Sequence, residues 1–217
     1  VPEGRRFAGL RLLAMDMDST LITIECIDEI GGFIDKKQEI AAITAQAMRG
    51  EIDYPESLRR RVSLLAGLGI DILERVYLEK LQLSPGAEAL IQRCKQHDIR
   101  LLLVSGGFSF FTERLRTRLG LDDTLSNVLD VENGKLTGRV LGGIVDADEK
   151  AAKFKAMAQR LGASRAQTVA IGDGANDLKM MSEAGISIAY RAKPVVRTKA
   201  THALDYSGLD GVINLFE

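Results

Sequence analysis

The sequence predicts an α/β fold: a mostly parallel sheet with helices on both faces and a helical module inserted after the first strand. Apolar runs without alternation occupy 10–17 (LRLLAMDM), 99–104 (IRLLLV) and 168–171 (TVAI), and each leads into a polar cluster. That is the pattern of strands covered on both faces. Helical stretches separate the later runs, as expected where crossover helices join parallel strands. The segment 25–83 holds helix-like stretches and no convincing strand, which marks the insertion.

Taken in order, the first strand is Leu10 to Met17, ending in carboxylates. Within the insertion, Asp35 to Arg49 puts Ile40, Ile43, Ala47 and Met48 on one face, and Ser57 to Leu65 groups Leu58, Val62 and Leu65. Pro85 to His97 is the next helix, and Ile99 to Val104 the second strand, running into Ser105-Gly106-Gly107. A helix over Phe110 to Leu119 follows. Asn133-Gly134, set between Leu129–Val131 and Leu136–Val140, is a strong hairpin signal. Glu149 to Leu161 is a further helix, Thr168 to Ile171 a third strand reaching Gly172-Asp173-Gly174, and Ile186 to Tyr190 a fourth. The expected division is a core of 1–22 and 84–217 around an insertion of 23–83.

Of the 217 residues, 46% are apolar, enough for one substantial core or a core with a smaller module. The 29 basic and 30 acidic side chains leave a net charge of −1, so no long-range field draws the chain to nucleic acid or an anionic membrane. Neither is an expected partner. Cys26 and Cys94 lie far apart without C-x-x-C spacing, which suggests neither a disulfide framework nor a zinc site and fits a reducing cytosol. The longest apolar runs fall far short of the ~20 residues that span a bilayer. With no charged-then-apolar leader at the start, the expectation is a soluble cytoplasmic protein.

Ligands of open α/β sheets bind outside the carboxyl ends of the strands. Three polar clusters occupy that position: Asp16-Met17-Asp18-Ser19-Thr20, Ser105-Gly106-Gly107 and Gly172 to Asp177. Asp16, Asp18 and Asp173 together offer the hard oxygen ligands that suit Mg²⁺. A lone D-x-D is often only a turn. Three carboxylates with apolar flanks are different, because they need a cation or a proton to coexist. A calcium loop is excluded, since Leu21 and Ile27 stand where that motif requires Gly and Glu. Asp146-Ala147-Asp148 fails the same test, with Ala151 at the glycine position, and reads as a turn or helix cap. Ser105, with the N–H groups of Gly106 and Gly107, opens the following helix and suits either phosphate oxygens or simple capping. Lys150 is placed to neutralise a phosphate or to lie exposed, and Lys153, one turn on, competes for that role.

These residues resemble the haloacid dehalogenase superfamily of phosphatases. Asp16 to Thr20 matches its D-x-D-x-[TV] motif, Ser105 its second, Lys150 its third and Gly172 to Asp177 its fourth. The resemblance implies a Rossmann-like core with the insertion as cap domain. Within the superfamily the chain is most similar to members that hydrolyse phosphoserine, through DMDSTL (16–21), Glu25, ESLRRRVSLL (56–65), VSGGF (104–108), NGKLTG (133–138) and IGDGANDLKMM (171–181). What this implies is a Mg²⁺-dependent hydrolysis of O-phospho-L-serine, the last step of serine biosynthesis. Asp16 would attack phosphorus, and Asp18 would protonate the leaving alkoxide and then activate water. Asp16, the Asp18 carbonyl and Asp173 would hold the metal, supported by Asn176, itself a substrate contact, and Asp177. Arg61 would take the substrate carboxylate and Glu25 its ammonium, with Met48 and Tyr54 lining the pocket. Read from spacing alone, Arg61 is part of a basic helix face and Glu25 a first-turn acid. Two other outcomes share these residues: transfer of the phosphoryl group to an alcohol such as homoserine, and phospho-ligand binding without turnover.

Overall fold

The computed structural model describes residues 6–216, so the outermost parts of the expected core limits, 1–5 and 217, lie outside the described residues. Strand β1, Leu12–Met15, is fully buried. Its alternate side chains feed two apolar clusters: Leu13 and Met15 one, Leu12 and Ala14 the other. That explains why the run never alternates with polar residues.

After β1 the chain makes a wide turn over Met17–Leu21, in which Ser19 takes a φ of 56°. Four helices follow: α1 (Cys26–Phe33), α2 (Lys37–Met48), α3 (Tyr54–Ser63) and α4 (Asp71–Glu79). The entering and leaving chains run side by side, joined by Thr23 N–H to Gln82 O (3.0 Å) and Ser84 N–H to Leu21 O (2.9 Å). Ile30, Ile40, Leu58, Val62 and Val76 of these helices belong to the same apolar cluster as Leu13 and Met15.

Helix α5 (Ala87–Gln96) leads to β2 (Arg100–Phe108), and α6 (Ser109–Leu119) to β3 (Asp123–Glu132). A hairpin turns at Asn133 and Gly134, both at positive φ (51° and 75°), into β4 (Lys135–Leu141). Two positive values in succession form the type I′ turn that Asn-Gly favours. Next come α7 (Ala147–Arg160), β5 (Thr168–Gly172), α8 (Leu178–Glu183), β6 (Ile186–Tyr190), α9 (Pro194–Arg197) and β7 (His202–Leu204).

Within the described residues the seven strands are ordered β4-β3-β2-β1-β5-β6-β7, parallel except for β3–β4. Helices α5 and α6 cover one face through Leu90, Ile91, Phe111 and Leu115, and α7 and α8 cover the other through Phe154, Met157, Met180 and Met181. The hairpin also grips the insertion. Gly67 N–H donates to Leu136 O, and Leu136 N–H to Leu68 O, each at 2.8 Å. At Gly138, with φ 82°, a Cβ would stand 2.9 Å from Ala66 Cβ, so the approach of β4 to the end of α3 requires glycine.

The structure departs from the sequence reading in several elements. Strand β2 continues through Ser105-Gly106-Gly107 to Phe108, and α6 starts at Ser109 with Phe108 as its N-cap. Ser105 therefore does not open that helix. The pairing with β3 is interrupted by an irregularity between Val104 and Phe108, and Phe108 pairs again with Asn127. Helices α1, α4, α8 and α9 and strand β7 were not individually anticipated. Asp146 is a helix cap, accepting from Asp148 N–H (2.8 Å) and Glu149 N–H (3.0 Å).

Candidate active site

The carboxyl ends of β1, β2 and β5 meet beneath the insertion around a cleft of ≈ 710 Å³. From the core, Asp16, Asp18, Gly106, Asp173 and Asn176 line it, and from the insertion Glu25, Met48, Tyr54 and Arg61. Ser105, Lys150 and Asp177 are fully buried beneath that surface.

Asp16 leaves β1 with its N–H still paired to Ile171 O (3.0 Å), so the parallel ladder fixes its backbone. From α7 the Lys150 ammonium donates to Asp16 Oδ1 at 2.7 Å and to Asp177 Oδ1 at 2.8 Å. Burial alone would lower the lysine's affinity for its proton, but the two carboxylates outweigh it and hold the ammonium charged. Lys153 lies elsewhere, paired with Asp123 at 2.9 Å, and so leaves the site to Lys150.

Asp177 accepts from Gly174 N–H (3.0 Å), which folds the Gly172–Asp177 turn back on itself. A Cβ on Gly172 would lie 2.5 Å from the Asp177 side chain, so that turn needs glycine. Oxygens of Asp16, Asp173 and Asp177 lie within 4.8 Å of one another. One ammonium against three carboxylates leaves two negative charges in a buried space, a donor set that fits a hard dication such as Mg²⁺. The strain shows in the protonation equilibria. Burial, then Asp177, raises the Asp16 carboxyl well above its usual range against the pull of Lys150. Burial, Asp177 and Glu25 push Asp173 up to about 6.

Asp18 stands outside that group of three. Its Oδ1 accepts from Cys26 N–H at 3.2 Å, at the start of α1. Burial, and then the nearby charge of Glu25, push it up to about 7. A Cβ on Gly107 would stand 2.8 Å from Asp18 Oδ2, so Gly107 is what lets the Asp18 carboxyl approach β2. Ser105 Oγ accepts from Gly107 N–H (2.8 Å), which leaves its own proton free to donate and removes the Gly107 N–H from the set of free donors.

On the insertion side, Glu25 Oε1 accepts from Ser19 Oγ at 2.7 Å, a contact made by the left-handed turn at Ser19. Arg61, on the last turn of α3, donates from Nε to Ser57 O (3.3 Å) and forms no ion pair among the described residues. Met48 closes α2 at the cleft and is 69% exposed. Asn127, buried on β3, escaped the sequence reading. Its Nδ2 donates to Gly106 O (2.8 Å) and its Oδ1 accepts from Val145 N–H (2.9 Å). No sequence signal marked it, since Asn127 sits among mixed polar and apolar residues (DTLSNVLDV, 123–131).

A haloacid dehalogenase-like hydrolase family model matches residues 13–182. The chain is 51% identical over 215 residues to a phosphoserine phosphatase of Polaromonas sp. (strain JS666), covering 97% of this chain and 91% of that one. It is 49% identical over 217 residues to the phosphoserine phosphatase of Albidiferax ferrireducens, covering 98% and 92%. A solved structure of a phospho-aspartyl intermediate analogue of phosphoserine phosphatase superposes with a TM-score of 0.89 at 36% identity, covering 96% of this chain and 99% of that one. With the fold, the family model and these relatives in agreement, the chain belongs to the haloacid dehalogenase-like hydrolase family.

Proposed function

We propose that the protein hydrolyses O-phospho-L-serine to L-serine and phosphate through an aspartyl-phosphate on Asp16. The observation that carries this reading is a single cleft lined both by Asp16, whose carboxylate accepts from the buried Lys150 ammonium, and by Arg61 and Glu25 of the insertion. A substrate bearing phosphate, carboxylate and ammonium fits that distribution of charge. Similarity to phosphoserine phosphatases along nearly the full chain supports it.

Asp16 attacks phosphorus with a carboxylate lone pair as the bond to the serine oxygen breaks. Asp18, with an affinity for protons that leaves it substantially protonated near neutrality, gives its proton to the departing alkoxide. As a carboxylate it then takes a proton from water, whose oxygen attacks phosphorus and releases Asp16. Lys150 and the Ser105 hydroxyl hold phosphoryl oxygens, with Gly106 and Asn176 alongside. Asp16, the Asp18 carbonyl and Asp173 would hold a Mg²⁺ ion, which would supply charge neutralisation for the attack of one anion on another. Arg61 offers a planar fork to the carboxylate and Glu25 an anion to the ammonium.

In this reading residues 23–83 act as a cap over the core formed by 1–22 and 84–217. No helix among the described residues is long and apolar enough to cross a membrane. Both cysteines are free and buried, which fits the cytosol. Phosphate release measured across phosphoserine, phosphothreonine, phosphoethanolamine and sugar phosphates tests the proposal: a strong preference for phosphoserine upholds it, and equal or better turnover of a sugar phosphate overturns it.

A further inference from the structure

The carbonyl of Gly106 and the N–H of Gly107 belong to one peptide unit, and every polar atom of that unit is held. Gly107 N–H donates to Ser105 Oγ at 2.8 Å. Gly106 O accepts twice: from Asn127 Nδ2 of the core at 2.8 Å and from the Tyr54 hydroxyl of the insertion at 3.1 Å. The second bond crosses the cleft. Tyr54 is the first residue of α3, where Asp53 caps the helix by accepting from Glu56 N–H (2.8 Å) and Pro55 fixes the first turn. The hydroxyl is thus carried on a rigid helix end, and a Cβ on Gly106 would lie 2.3 Å from it. Burial raises the phenol above its usual value, so it stays a donor at working pH.

We propose that Tyr54 is a positioning residue whose hydroxyl latches the inserted helices to the Gly106–Gly107 peptide, holding the cleft closed around substrate. The proposal deepens the reading of this cleft as a phosphoserine site. Opening for entry and release would break this hydrogen bond, and Asn127 would keep the carbonyl paired meanwhile.

Tyr54→Phe removes that bond and keeps the ring. Steady-state hydrolysis of phosphoserine in Mg²⁺ is expected to lose about two- to tenfold in kcat/KM, the worth of one neutral hydrogen bond, with the loss carried by KM. Amide hydrogen exchange over residues 54–61 and 104–108 is expected to accelerate by a similar factor without a matching change elsewhere. Unchanged exchange and unchanged KM would overturn the latch, as would a loss confined to kcat, which would place the hydroxyl in the chemistry. A global rise in exchange with a lower melting temperature would also overturn it, by making the hydroxyl a general packing contact. If the unmutated protein fails to release phosphate from phosphoserine, the substrate reading fails while the exchange comparison still decides the latch.

Discussion

Replacing Lys150 by methionine isolates the electrostatics of the site, because the new side chain is of similar length and carries no charge. The ammonium is 1% exposed and lies 2.7 Å from Asp16 and 2.8 Å from Asp177, whose side chains are 7% and 0% exposed. Its removal leaves two carboxylates facing each other with their shared counter-ion gone. Breaking a buried pair in this way costs about 3–5 kcal/mol. At ~2–4 °C per kcal/mol for a chain of this size, the melting temperature in chelator should fall by roughly 6–20 °C. Proton uptake by Asp16, whose carboxyl pKa is already raised by burial and by Asp177, limits the loss, so the deficit should narrow as pH is lowered. Adding Asp177→Asn to Lys150→Met should recover much of the stability without recovering phosphate release, because the phosphate's cation is still missing. Calorimetry in chelator on the single and double variants, beside phosphate-release assays, reads both effects. A single variant as stable as the unmutated protein would refute the view that this ammonium organises the carboxylates, and full activity in it would remove Lys150 from the phosphate site.

Asp16→Asn should abolish phosphate release with the circular dichroism spectrum unchanged, since the amide keeps the shape and loses the attacking charge. Arg61→Ala should lower kcat/KM for phosphoserine by ~30-fold to several thousand-fold, corresponding to about 2–5 kcal/mol. Hydrolysis of phosphoethanolamine, which has no carboxylate, should change little, and equal losses on both would reassign Arg61 to the phosphate or to the insertion's structure. Asp173 has a folded-state pKa raised from 3.8 to about 6, so its ionisation opposes folding above that range, an effect that fades as pH falls from 6 toward 3.8. In chelator, Asp173→Asn should therefore be more stable than the unmutated protein at pH 8, with the advantage shrinking at pH 5. A constant difference across that range, measured by thermal denaturation, would contradict this assignment.

The strands that carry the site were legible because their two-sided burial removes the alternation that would otherwise complicate reading them. Asp16, Asp18 and Asp173 were legible for the same reason, as charges set at the ends of apolar runs. The choice between Lys150 and Lys153 was not. Both lie on α7, and only its packing against β1 and the Gly172–Asp177 turn sends one ammonium inward and the other to Asp123. Helix α1 (Cys26–Phe33) was given no bounds of its own within the helix-like segment 25–83, and it contains two adjacent glycines, residues of low helix propensity. Gly31 is in fact where α2 packs, since a Cβ there would meet Ile40 Cδ1 at 2.5 Å. Ser105 looked like a helix cap because local sequence cannot reveal that β2 runs on past Val104 to a last pairing of Phe108 with Asn127 of β3. The bonds of Tyr54 and Asn127 to a single carbonyl join residues far apart in sequence, and no local pattern encodes them.

A nucleophilic Asp16 becomes phosphorylated during turnover. Rapid quenching of the Mg²⁺-loaded protein with phosphoserine, followed by borohydride reduction and peptide mass spectrometry, tests it directly, because hydride converts an aspartyl-phosphate to homoserine. Homoserine is expected at position 16 alone, present only with substrate and absent from Asp16→Asn. Phosphate release at an undiminished rate with no modified residue, or with the modification at Asp18 or Asp173, would contradict it.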